Sequence, residues 1–228
     1  MIGLIAAFII AMALSVMGTP ILIRFLVMHQ YGQFIRQDGP TQHLTKRGTP
    51  TMGGVVIILA TVVAWLIGAL VAGAGPSWSG LLLIFLFVGL GVIGLLDDSI
   101  KIMRQRSLGL HPSGKIIGQV AVASLFALGT LIKPNEFGEY PGTLAISFAR
   151  PTALTLGFAG LGLGIALYLI WTNLIVTAWS NATNLTDGLD GLAAGVTIFV
   201  FGAYTFIAYF QRIQACTQPD VHRLACYQ

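Results

Sequence analysis

The sequence predicts an all-α integral membrane protein of about six transmembrane helices, and three observations predict it. Hydrophobic residues fill 56% of the 228 positions and charged residues only 9%, against about 25% charged in a soluble domain. Mean hydropathy is +0.85. The apolar residues are also gathered into long runs, and a hydrocarbon core about 30 Å thick takes roughly 20 such residues per helix. With no fixed-period repeat, low-complexity tract or long linker, residues 1–228 are expected to form a single polytopic membrane domain.

The first run, Ile2 to Val27, has no Lys or Arg before Arg24, so it lacks the basic start of a cleavable signal and reads as a retained spanning helix. Thr51 to Gly73 is the second, with Thr49 expected as its cap and Pro50 as its first helical residue. The stretch "GAGPSW" turns the chain tightly into the third run, Ser79 to Leu96, and Ile116 to Ile132 is the fourth. The connection that follows contains a β-prone piece, Thr143 to Phe148, and is expected to form a small periplasmic hairpin without a catalytic role. Ala153 to Trp179 and Leu192 to Phe210 complete the set.

Lys and Arg are retained on the cytoplasmic side of a membrane. Arg24, Arg36, Lys46, Arg47, Lys101, Arg104, Arg106 and Lys115 fall in the first and third connections or at their edges. Lys133, Arg150, Arg212 and Arg223 fall on the other side. The N-terminus is therefore expected outside, and the first, third and fifth connections inside. This distribution accounts for most of the formal charge of +4. No basic cluster is interleaved with aromatics, so nucleic acid is not expected as a partner. Cys216 and Cys226 fall on the outer side, where a disulfide and two free thiols are both open readings.

Three polar clusters share the predicted inner face. In "KRGTPTMGG", Lys46 to Gly54, a helix N-terminus beside Lys46 and Arg47 suits a phosphate, although a capped helix packed through Gly53 and Gly54 explains the same residues. In "LLDDSIK", Asp97 and Asp98 repel each other, and a divalent cation relieves that repulsion. An ion pair from Asp98 to Lys101 is the plainer reading, but it leaves Asp97 unexplained. In "NATNLTDGLDGLA", Asn181, Asn184, Asp187 and Asp190 recur every three residues, a spacing that sweeps around a helix rather than converging. Gly188 and Gly191 therefore suggest a non-helical approach, with Asp187 and Asn184 turned toward a ligand and Asp190 either capping the sixth helix or joining them. Carboxylates, amides, lysines and a helix N-terminus are the parts of Mg²⁺-assisted phosphoryl transfer.

Together "KRGTPTMGG", "LLDDSIK" and "NATNLTDGLDGLA", with "YGQFIRQDGPTQH" before them, resemble the polyprenyl-phosphate N-acetylhexosamine-1-phosphate transferases. "GTPTMGG" and "NLTDGLDGLA" favour the muramoyl branch of that superfamily. The resemblance implies an enzyme of the bacterial cytoplasmic membrane, with Mg²⁺ as cofactor and a homodimer as the assembly. Undecaprenyl phosphate would attack the β-phosphate of UDP-N-acetylmuramoyl-pentapeptide and release UMP, the first membrane step of peptidoglycan synthesis. By motif, Asp97 and Asp98 resemble the catalytic aspartate pair, and Asp187 a catalytic Mg²⁺ ligand. Lys46, Thr51, Lys101, Lys115, Asn184 and Asp190 resemble substrate-binding residues. The resemblance would allow Asp97 to act as a base on the lipid phosphate, but a phosphate monoester has its second pKa near 6 and is mostly dianionic at pH 7. Asp97 is accordingly expected to position rather than to deprotonate.

Family members run through about ten helices and carry a further acidic ligand and a histidine-rich loop. His29, His43, His111 and His222 do not form that loop, so the chain reads as an incomplete copy, expected to be inactive or nearly so by itself. The alternatives are a transferase loading N-acetylglucosamine 1-phosphate, a non-catalytic membrane fragment, and a transporter, since membrane carboxylates often mark ion paths.

Overall fold

A computed structural model of the chain describes residues 2–32, 50–73, 75–106, 108–134, 140–147, 151–187 and 191–213. Among them six helices are long and apolar enough to cross a membrane. They are α1 (Ile2–Met28), α2 (Gly54–Val71), α3 (Trp78–Met103), α4 (Pro112–Ile132), α5 (Leu161–Thr186) and α6 (Leu192–Ile213), with a short hairpin of β1 (Ala145–Ser147) and β2 (Pro151–Thr155) between α4 and α5. The chain is a multi-pass membrane protein. Contacts group the residues into two units, Met1–Thr143 with Tyr168–Asn173, and Leu144–Leu167 with Leu174–Gln228.

In the first unit the helices pack through small residues. Without a hydrophobic driving force between apolar helices in lipid, close backbone approach supplies the attraction. Ala60, Ala64 and Gly68 recur every fourth residue along α2 and are buried, and a Cβ at Gly68 would lie 2.7 Å from that of Ala7 on α1. The antiparallel pair α3 and α4 alternates glycine with branched side chains. Leu82 fills the place of a Cβ at Gly129, Val122 that at Gly89, and Ile93 that at Gly118. At one end of this pair the Trp78 indole N–H donates to the Gly129 carbonyl at 3.1 Å, and Lys133 sits over the same ring. Several polar groups inside the unit bond to one another, which lowers the cost of placing them in hydrocarbon. Thr130 Oγ1 donates to the Ala127 carbonyl and meets Tyr168 Oη at 2.8 Å, and the Asn173 amide donates to Ser124 Oγ at 3.0 Å.

In the second unit the hairpin is antiparallel, with Ser147 opposite Pro151. Thr155 Oγ1 caps a 3₁₀ turn over Leu156–Ala159, and Gly160 at φ 100° breaks it before α5. No residue of α6 is buried among the described residues.

The sequence-based helix limits need four corrections. The second helix begins at Gly54 rather than Pro50, because Pro50 pairs with Gly32 in an isolated bridge and Met52 adopts φ 70°, which a helix cannot continue through. The third does not stop at Leu96 but runs on to Met103, where Gln105 at φ 46° ends it. The fourth opens at Pro112, ahead of Ile116, with proline in the first turn where it costs no hydrogen bond. The fifth opens at Leu161, since Pro151–Thr155 is drawn into the hairpin.

Candidate functional site

The longer α3 carries Asp97, Asp98 and Lys101 inside a helix, where spacings of three and four residues bring side chains together. The Lys101 ammonium meets Asp97 Oδ2 at 2.7 Å and Asp98 Oδ1 at 2.9 Å. The ion-pair reading is thus realised twice over, and it accounts for Asp97 as well as Asp98. The backbone N–H of Leu110, from the connection to α4, donates to the other Asp97 oxygen at 2.8 Å. Lys115, in the first turn of α4, adds a second positive charge to the field at Asp97.

Both oxygens of Asp97 are therefore held, and its side chain is only 13% exposed. Asp98 is 32% exposed and, among the described residues, keeps one oxygen without a partner. It also closes one end of a cleft of about 410 Å³ between α2 and α3, whose walls include Val55, Ile58, Val92 and Leu95. Met52 and Gly54 line the same cleft. A Cβ at Gly53, Gly54 or Gly94 would meet open space, so room remains beside the backbone there. Next to Met52, the hydroxyl of Thr51 is buried and makes no hydrogen bond among the described residues. A left-handed non-glycine residue is strain that the surroundings must hold in place, and such strain clusters at functional sites.

In the second unit, "NATNLTDGLDGLA" is helical for longer than its glycines suggest. Asn181 and Asn184 belong to α5, which ends at Thr186 with Asp187 as its C-cap. Asn184 therefore lies inside the helix rather than on the non-helical approach expected for it, and Asp187 is the first residue past the helix. Inside the helix, Asn181 and Thr186 return hydrogen bonds to carbonyls four residues back, Thr177 and Ala182. Asn184 and Asp187 are exposed. Asp187 has no ion pair among the described residues, and its carboxylate adds to the partial negative charge of the last carbonyls of α5, a position that favours a cation.

Lys46, Thr49, Gly188, Asp190, Cys216 and Cys226 lie outside the described residues. The structure therefore brings Asp97, Asp98, Lys101 and Lys115 together, sets Thr51 beside a residue of the adjoining cleft, and leaves Asn184 and Asp187 in the other unit. Among the described residues no three His, Cys, Asp or Glu side chains cluster. Such a donor set fits Mg²⁺ in its sparse form, because that ion is commonly held by one or two carboxylates, with phosphate oxygens and water completing the shell. The Leu110 N–H and its neighbour Gly109 escaped the sequence reading, since a backbone donor leaves no side-chain signature; the glycine was the only signal.

Residues 80–222 match Glycosyl transferase family 4, and residues 46–58 match phospho-N-acetylmuramoyl-pentapeptide-transferase signature 1. A phospho-N-acetylmuramoyl-pentapeptide-transferase of Beutenbergia cavernae is 53% identical over 228 residues, covering 100% of this chain and 63% of the relative. Enzymes of the same name from Paenarthrobacter aurescens and Micrococcus luteus are 50% and 52% identical, again over 100% of this chain, and it covers 64% and 62% of them. The chain thus spans a little under two thirds of the length of these curated relatives.

Proposed function

The chain belongs to Glycosyl transferase family 4, and from that premise we propose that it takes part in transferring phospho-N-acetylmuramoyl-pentapeptide from UDP to undecaprenyl phosphate. The observation that carries this reading is the gathering of Asp97, Asp98, Lys101 and Lys115 where α3 and α4 meet, beside an apolar cleft. An acceptor of this kind joins a phosphate to a long apolar tail, and a polar centre next to an apolar cleft suits both parts. The inward orientation of this centre, the bacterial cytoplasmic membrane as its location and a homodimer as its assembly belong to the same proposal.

In the reaction, an oxygen of the lipid phosphate forms a bond to the β-phosphorus of the donor, the α–β phosphoanhydride bond breaks, and UMP leaves. Lys101 and Lys115 stabilise the negative charge that moves onto UMP. Asp97 has both oxygens engaged and holds Lys101 in place rather than taking a proton. The lipid phosphate needs no base, because its second pKa lies near 6. Bound Mg²⁺ would neutralise phosphate oxygens as a Lewis acid. Among the described residues, Asp187, and separately Asp98, are the carboxylates with oxygen left to offer it. Lys46, Thr51, Asn184 and Asp190 complete the proposed substrate contacts.

Retention of labelled UDP-N-acetylmuramoyl-pentapeptide by the chain in nanodiscs tests the reading. Mg²⁺-dependent retention at least tenfold above that of UDP-N-acetylglucosamine is expected. Equal retention of the two donors favours the N-acetylglucosamine-1-phosphate alternative, and no Mg²⁺-dependent retention of either sinks both. Adding undecaprenyl phosphate then measures whether these 228 residues suffice for UMP release, expected at or near background.

A further inference from the structure

We propose that Gly109 and the Leu110 N–H form a positioning device for Asp97, fixing its carboxylate so that Lys101 is held between Asp97 and Asp98. The role in catalysis rests on the activity proposed above; the geometry stands without it.

Three contacts carry the inference. The Leu110 N–H donates to Asp97 Oδ1 at 2.8 Å, which takes one oxygen of the carboxylate out of play. Lys101 takes the other at 2.7 Å. The third contact is steric: a Cβ at Gly109 would collide with Asp97 Oδ1 and would lie 2.6 Å from the Asp97 carbonyl oxygen. Backbone at that separation cannot yield as a flexible side chain does. Only glycine lets the connection close onto Asp97 from this side, and the closure is what brings the Leu110 N–H within reach.

The consequence is a division of labour between adjacent carboxylates. An aspartate free to rotate would compete with Asp98 for the ammonium and offer its own oxygens to a cation or a phosphate-bound water. With Oδ1 tied to the backbone, Asp97 presents Oδ2 in one direction, and Lys101 is set where it also meets Asp98 at 2.9 Å. Asp98 then keeps its remaining oxygen at the end of the cleft. Among the described residues the charged groups around Asp97 are Asp98 and Lys101 on its own helix and Lys115 on α4, and Lys101 is the cation paired with both acids.

Carbodiimide labelling of carboxyl groups, read residue by residue by tandem mass spectrometry, tests this in the intact chain in nanodiscs without requiring turnover. In the wild type Asp98 should label at least fivefold faster than Asp97. Gly109→Ala, which forces the connection away, and Leu110→Pro, which removes the donor, should each raise Asp97 labelling at least threefold while Asp187 labels as before. Leu110→Ala keeps the N–H and should label like the wild type. Equal labelling of Asp97 and Asp98 in the wild type overturns the proposal, as does an unchanged Asp97 in both disruptive variants. Where UMP release is measurable, Gly109→Ala should lower kcat at least tenfold with KM for the UDP donor within twofold; a rise in KM with kcat intact would mark a binding role instead. Wild-type chain that retains no UDP donor counts against the proposed activity, and the labelling pattern still decides the geometry.

Discussion

Asp97 and Asp98 lie within α3 and share one ammonium, whereas Asp187 caps the end of α5 with no ion pair among the described residues. Both regions place carboxylates near the end of a spanning helix, but their electrostatics differ. The α3 pair shares Lys101 of its own helix, with Lys115 of α4 adding to the field at Asp97. At Asp187 the helix works the other way, because its last carbonyls add to the carboxylate's charge. Identical side chains therefore sit in different fields: Asp97 and Asp98 face a lysine of their own helix, whereas Asp187 faces only the negative end of its helix among the described residues.

The contrast breaks most directly at Asp187. Asp187→Asn should reduce Mg²⁺-dependent donor retention at least about tenfold, as expected for a metal-dependent contact, while thermal stability holds or rises by about 0.3–1 kcal/mol because an unfavourable helix-end charge is gone. Unchanged retention would remove the distinction between the regions. At the other region, Asp97→Asn in any form of the enzyme that turns over should lose about tenfold in kcat, and raising the pH from 7 to 9 should not restore it, since a phosphate with a second pKa near 6 is already dianionic. Full recovery at high pH would make Asp97 a base.

Lys101→Met sharpens the comparison by making the α3 pair resemble Asp187. The two acids lose their shared cation, so the unfolding free energy should fall by about 1 kcal/mol, the upper range for part-exposed pairs. Millimolar Mg²⁺ should return most of that loss in thermal unfolding and leave the wild type unmoved. Asp98→Asn should have the smallest effect on stability, a few tenths of a kcal/mol, because one part-exposed contact goes while the Asp97 pair stays. A larger loss would mean that Asp98 and not Asp97 anchors the lysine.

Much of the architecture is legible in hydropathy, and the discrepancies have physical causes. A long apolar run reports where lipid lies, not where a helix stops. Asp97 ends the third run, yet the helix passes through it because a charged residue at a boundary keeps its backbone hydrogen bonds. Ala153–Thr155 is apolar enough to join the fifth run, and only the pairing of Pro151–Thr155 with Ala145–Ser147 takes it out, a distinction that short apolar segments do not encode locally. The gathering of Asp97, Asp98, Lys101 and Lys115 follows from helix spacing and a short connection, both visible in the chain. The Asp97 anchor depends on a backbone N–H thirteen positions away, which no side-chain pattern announces.

The glycine and branched-residue alternation between α3 and α4 works as a vernier. Its graduations at Leu82–Gly129, Gly89–Val122 and Ile93–Gly118 run down the pair toward the connection that reaches Asp97. Inserting one residue between Gly89 and Asp97 would advance the scale by about 1.5 Å and turn it by roughly 100°, misreading Asp97 against Leu110 even though every chemical group is still present. Substitutions on the lipid-facing sides of these helices should pass almost unnoticed, while single insertions or deletions in α3 should be as damaging as loss of the carboxylate itself.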